Sequence, residues 1–227
     1  MKSASLELYF EEIDSARKTF RDIEIYRSLE IDFIPNVQGP SDFATQLDYT
    51  IGSIHFVHSF PSSEPWEIDG NNSLFLKGLQ EIYHGSVQDA IHEYYDLMRQ
   101  MIRNNPPTIL GHLDKIKIQN QENKLFDPES RWYRSEVLAT LDVLAQSTCF
   151  VEVNTRGIYT AKTNETYPGP WILHEMKNRN IPIVITSDAH HRKDLISHFS
   201  DAKKAAYDAG YRSCKALRQG VWQDIAF

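Results

Sequence analysis

Apolar, β-branched runs alternate with amphipathic segments along the whole chain, and this alternation is the strongest constraint on its fold. Residues 23–33, stopped by Pro35, and residues 49–57 read as strands; the second is apolar almost throughout, which predicts burial on both faces. Residues 108–110, 150–153 and 181–186 are three further strand-like runs, and two short strands are expected near 215–217 and 221–226. Between them, Leu6, Tyr9, Phe10, Ile13, Ala16 and Phe20 fall at helical spacing over residues 5–20. Residues 73–104 read as two helices broken at His84-Gly85-Ser86. A helix is expected to start with Asp127 as N-cap and Pro128 in its first turn and to run to Gln146, followed by helices at 170–179 and 199–209. Such alternation is the signature of parallel βα units. Those units carry their chemistry on loops at the carboxyl ends of the strands.

Composition narrows the function classes. The length of 227 residues suits one α/β domain spanning residues 1–227. Lys and Arg number 24 against 31 Asp and Glu, a net charge of −7, so no basic footprint for nucleic acid is present. No apolar run approaches the ~20 residues of a membrane span, and Met1 to Glu7 lack a signal-peptide apolar core. Two cysteines, Cys149 and Cys214, make no disulfide framework. The expectation is a cytoplasmic protein with two plain thiols and Cys149 as core filler.

Five residues of metal-ligand type sit at or near predicted strand ends: Glu30, His55, His112, Asp188 and His190. Buried carboxylates and imidazoles are costly unless paired or metal-bound, so their joint placement is more telling than any one of them. Glu30 interrupts an apolar strand as Leu29-Glu30-Ile31, where the alternative is an acid paired with an arginine. His55 lies in the apolar run Gly52-Ser53-Ile54-His55-Phe56, whereas His58 would face the other way and belong to the rim. A lone histidine in such a run is more often a hydrogen-bonded core residue. His112 follows Gly111, expected to permit a sharp exit from the strand. Asp188 and His190 are two apart, and in an extended segment would point the same way. Mixed imidazole and carboxylate donors suit zinc, manganese or iron. Clustered divalent ions are the usual apparatus for phosphate-ester hydrolysis.

A phosphate also needs cations. Arg156, in Val153-Asn154-Thr155-Arg156-Gly157, is the foremost candidate, with Lys162 and Arg192 beside it. A guanidinium fork matches phosphate oxygens, and Gly157 is expected to let backbone approach; the alternative is a solvated loop charge. Lys115 and Lys117 read as surface charges. Trp66, Tyr94 and Tyr95 are weighed as pocket walls against the commoner role of core aromatics.

The stretches SLEIDFIP (28–35), IGSIHFV (51–57), ILGHLDKIK (109–117), VEVNTRGIY (151–159) and VITSDAHH (184–191) resemble the PHP (polymerase and histidinol phosphatase) family, specifically its bacterial histidinol-phosphatase branch. The resemblance implies a distorted (β/α)7 TIM-like barrel with up to three divalent metal ions at the carboxyl ends of its strands. It implies hydrolysis of L-histidinol phosphate to L-histidinol and phosphate, late in histidine biosynthesis. Glu30 would bridge two metals, His55 and His112 would complete one, Asp188 would bind a second and His190 a third. A metal-bound hydroxide would attack phosphorus, giving Glu30 and Asp188 their catalytic part, and Arg156 would hold phosphate.

The family opens with a His-x-His strand, whereas here the first histidine of any kind is His55. The expectation is therefore a PHP-like domain lacking its first two βα units, roughly 60 residues. Exposed sheet edges would then favour homo-oligomers. The competing readings are a non-catalytic or regulatory PHP-like module keeping one metal, and a hydrolase of another small phosphoester.

Overall fold

The computed structural model describes residues 3–227. In chain order the elements are α1 (Ser3–Thr19), β1 (Ser28–Asp32), β2 (Tyr49–Ser53), β3 (Phe56–Ser59), β4 (Pro65–Glu67), α2 (Asn72–Tyr83), α3 (Val87–Asn104) and β5 (Ile109–Leu110). Then follow α4 (Arg131–Leu144), β6 (Phe150–Asn154), α5 (Arg156–Tyr159), α6 (Pro170–Asn178), β7 (Ile183–Thr186), α7 (Phe199–Asp208), β8 (Ser213–Arg218) and β9 (Val221–Ala226). Five strands form one sheet in the order β1-β2-β5-β6-β7, every neighbouring pair parallel. The strands are joined by crossover connections rather than hairpins and so pair in parallel, which puts all five carboxyl ends on one rim. The registers Asp32↔Ser53, Gly52↔Leu110 and Asn154↔Thr186 fix that rim. Among the described residues, β1 and β7 remain the two edges of an open sheet.

Three local expectations are corrected. The strand at 23–33 contracts to β1, and the run at 49–57 divides in two: after Ser53 the chain leaves the sheet, and β3 pairs antiparallel with β4. Asp127 does not cap a helix. It closes a turn, accepting from Glu129 N at 2.9 Å on its side chain and from Ser130 N at 3.0 Å on its carbonyl, and α4 starts only at Arg131. An aspartate followed by proline satisfies an Asx-turn as well as an N-cap, so the local signal is shared. The break at 84–86 is as expected, with His84 left-handed at φ 51° where α2 ends.

Trp66, Tyr94 and Tyr95 are fully buried core residues and line no pocket of the site, and Cys149 is core as expected. Their polar handles are satisfied: Trp66 Nε1 donates to Phe75 O at 3.2 Å, and Tyr94 OH donates to Leu113 O at 3.1 Å. Gly78 of α2 packs flat against the indole, where an added Cβ would meet Trp66 Cδ1 at 2.1 Å. Gly78→Ala is therefore expected to destabilise the protein by about 1–3 kcal/mol despite alanine's better helix propensity, read as a lowered denaturant midpoint.

The β8–β9 hairpin covers the opposite, amino end of the sheet. Trp222 packs edge-on against Phe150 and Tyr49, the first residues of β6 and β2, at 4.9 and 5.7 Å between ring centroids. Its turn is pinned where Gln219 N donates to Glu24 Oε2 at 3.0 Å and Gly220 N to Tyr26 OH at 3.1 Å. Among the described residues, no helix is long and apolar enough to cross a membrane.

Candidate metal centre

Three neighbouring strands bring three ligand-type residues to one point near the rim. Glu30 projects from the middle of β1, His55 lies two residues past β2 and His112 two past β5. One donor atom from each lies within 4.8 Å of the others. His112 Nε2 is 2.9 Å from Glu30 Oε1, His55 Nε2 is 3.6 Å from the same oxygen, and Ser53 Oγ donates to it at 2.7 Å. Burial pushes the Glu30 carboxyl upward, but hydrogen bonding and charge from His112, with Ser53 and His55, outweigh it and hold the group well below the usual carboxylate range. For His55, burial disfavours the charged form, while hydrogen bonding to Asp32 and the charges of Asp69 and Glu30 raise its pKa overall. No arginine pairs with Glu30 among the described residues, so the bland alternative for this acid does not apply.

The donor set suits a divalent ion. Two imidazoles and a carboxylate held ionised are the ligands of a catalytic zinc site that leaves a position open. Asp69 Oδ1, beside the cluster, is buried without a hydrogen-bond partner, an unsatisfied polar atom that an ion's bound water would relieve. Gly111 contributes by size: an added Cβ would sit 2.4 Å from Ser53 Oγ, the group that steadies Glu30. The expected role of freeing the backbone for a sharp exit is not what the site uses, since its φ is not in the left-handed region.

Three further residues support this point and carry no candidate role in the sequence. Asp32 Oδ1 lies 2.6 Å from His55 Nδ1, which leaves Nε2 of that ring to face Glu30. Its spacing two residues after Glu30 on one strand was the available signal. Glu152, buried in β6, accepts from His112 N at 2.8 Å, Asn154 Nδ2 at 3.1 Å and Thr186 Oγ1 at 2.5 Å, tying three strand ends together. It is an acid inside an apolar strand, the same signal that marked Glu30. Asp69 Oδ2 lies 4.0 Å from His55 Nε2 and 2.9 Å from Lys115 Nζ. No local pattern announces that pairing.

Asp188 and His190 form a second group with Arg156 and stay outside the three-residue cluster. Asp188 Oδ1 is 3.2 Å from His190 Nε2, and Asn154 Nδ2 donates to Asp188 Oδ2 at 3.4 Å, linking this group to Glu152. The two side chains meet through a turn rather than an extended segment, because Asp188 is left-handed at φ 49°. Arg156 opens α5, donates to Asp188 O at 2.9 Å and lies 3.2 Å from His190 Nδ1, so it is held rather than solvated. Gly157 makes room for packing: a Cβ there would meet Thr163 Cγ2 at 2.3 Å.

A cavity of about 200 Å³ opens beside these groups, lined among others by Asp69, Lys115, Asn154, Arg156, Lys162 and Asp188. Lys162 is exposed at its mouth, whereas Arg192 is exposed on the turn after β7 and does not line it. The two lysines read as surface charges are not: Lys115 is buried against Asp69, and Lys117 bridges Asp114 at 2.7 Å and Glu165 at 2.6 Å.

No protein-family model matches the chain. It is 29% identical over 220 residues to the curated "Probable histidinol-phosphatase" of Deinococcus radiodurans, covering 94% of this chain and 76% of that protein. It is 27% identical over 206 residues to the histidinol-phosphatase of Bacillus subtilis, covering 86% and 74%. The fold matches the crystal structure of a histidinol phosphate phosphatase from Lactococcus lactis complexed with zinc, L-histidinol and phosphate, with a TM-score of 0.64 and 20% identity over 96% of this chain and 79% of that one.

Proposed function

We propose that the protein is a metal-dependent phosphomonoesterase that hydrolyses L-histidinol phosphate to L-histidinol and phosphate in histidine biosynthesis. The observation that carries this reading is the convergence of Glu30, His55 and His112 on the carboxyl rim of a parallel sheet, in a chain similar over most of its length to histidinol-phosphatases. Glu30, His55 and His112 hold one zinc ion, and Asp188 with His190 is the place for a further one. When bound, such an ion acts as a Lewis acid and lowers the pKa of a coordinated water toward neutrality.

The chain's own residues do the rest. Ser53 keeps one Glu30 oxygen oriented, and Asp32 engages His55 Nδ1, which leaves Nε2 as the nitrogen that would face the ion. Glu152 holds the His112 backbone and, through Asn154, the Asp188 side chain. Arg156 grips the substrate phosphate from the cavity, with Lys162 at its mouth, while Arg192, on the neighbouring turn outside the cavity lining, adds positive charge to the approach. We read the five-stranded sheet as an arc of a distorted (β/α)7 barrel of the PHP type, and the chain as one such domain.

The test is substrate preference. With zinc present, kcat/KM for L-histidinol phosphate is expected to exceed that for p-nitrophenyl phosphate or glycerol phosphate by about tenfold or more, the discrimination one charged contact to the alcohol portion supplies. Equal values for all three would reduce the reading to an unspecific phosphomonoesterase.

A further inference from the structure

Lys115 is the cation of this site that its sequence context concealed. It follows His112 by three residues on a short turn after β5, and its side chain is only 11% exposed. Lysine is rarely buried without a reason, because its ammonium is among the most strongly hydrated side-chain groups. Asp69 Oδ2, its partner at 2.9 Å, is also 4.0 Å from His55 Nε2, so one carboxylate stands between the ammonium and the metal cluster. The ammonium carries three donors and Asp69 engages one. The same cavity is lined by Arg156 and Lys162, so three cations from two connections, those after β5 and β6, face one space.

Resting on the phosphatase reading above, we propose that Lys115 is a further substrate-binding residue that holds a phosphate oxygen in the cavity opposite Arg156. With the cavity empty, Asp69 neutralises the ammonium and keeps it aimed. A phosphate dianion between Lys115 and Arg156 meets a point charge on one side and a planar fork on the other. Position and charge are both required: a neutral side chain of equal length keeps the shape and loses the grip.

The experiment measures inorganic phosphate binding directly, by calorimetry on the folded full chain with and without zinc, for wild type, Lys115→Met, Lys115→Arg and Arg156→Ala. Lys115→Met is expected to weaken phosphate binding by about tenfold or more, the scale of one charge-assisted hydrogen bond. Lys115→Arg is expected to restore part of it, and zinc affinity is expected to stay unchanged in both. Should Lys115→Met fail to fold, the Asp69→Asn, Lys115→Met double variant removes the unpaired charge and gives the same readout. Phosphate binding within twofold of wild type in the folded methionine variant, with Arg156→Ala impaired, would overturn the assignment of Lys115 alone. No effect in either variant, or no phosphate binding by wild type, would overturn the cavity as a phosphate site and with it the reading on which this proposal rests.

Discussion

His112→Ala is expected to lower turnover of L-histidinol phosphate by about a thousandfold, the several kcal/mol of transition-state stabilisation that a divalent ion contributes. The imidazole is 1% exposed and its Nε2 sits 2.9 Å from Glu30 Oε1, so its removal takes away one of three donors and the hydrogen bond that keeps Glu30 ionised. Glu30→Gln is expected to act in the same direction with less disturbance of packing, because the amide keeps the volume and loses the charge. Zinc titration monitored by a chromophoric chelator separates the site from the fold. Both variants should retain the wild-type circular dichroism spectrum and bind zinc far more weakly. Unchanged zinc affinity in both variants would remove this cluster from the metal site.

The second large effect belongs to Arg156. Its guanidinium holds the Asp188 carbonyl at 2.9 Å and lies 3.2 Å from the Tyr159 hydroxyl, so the fork is placed before any ligand arrives. Arg156→Ala is expected to cost about a hundredfold in kcat/KM, the magnitude seen when one preorganised charge-stabilising donor is removed. Arg156→Lys should recover only a small part, since an ammonium cannot reproduce two parallel donors. Steady-state kinetics on the zinc-loaded protein reads both values. An alanine variant within threefold of wild type would mean that the arginine merely braces the turn after β7.

The parts of the fold and site that were legible in the sequence share one property: a residue at odds with its immediate neighbours. Glu30 between Leu29 and Ile31, and His112 just past an apolar run, are polar side chains where packing gives them no reason to be, and both converge on the site. Glu152, an acid between Val151 and Val153, carries the same mark, and its carboxylate joins three strands. Lys115 was misread because a lysine in a hydrophilic turn is ordinarily solvated; only the tertiary approach of Asp69, from the segment between β4 and α2, makes it an interior cation. Asp188 and His190 do meet, but through a left-handed residue that spacing alone cannot reveal. The parallel pairing of the strands followed from the alternation of apolar strands and helices, whereas the order β1-β2-β5-β6-β7 comes from the structure. The division at Ile54-His55 did not, because the apolar run continues unbroken while the chain turns out of the sheet.

The central claim is that this chain, through its own rim residues, carries out zinc-dependent release of phosphate from L-histidinol phosphate. The most direct measurement follows inorganic phosphate as it forms, using protein stripped by chelator and then reloaded with zinc, alongside His112→Ala treated identically. The account predicts release that disappears on chelation, returns with zinc and is absent from the variant. Release that persists through chelation, or equal release by the reloaded wild type and His112→Ala, would contradict it.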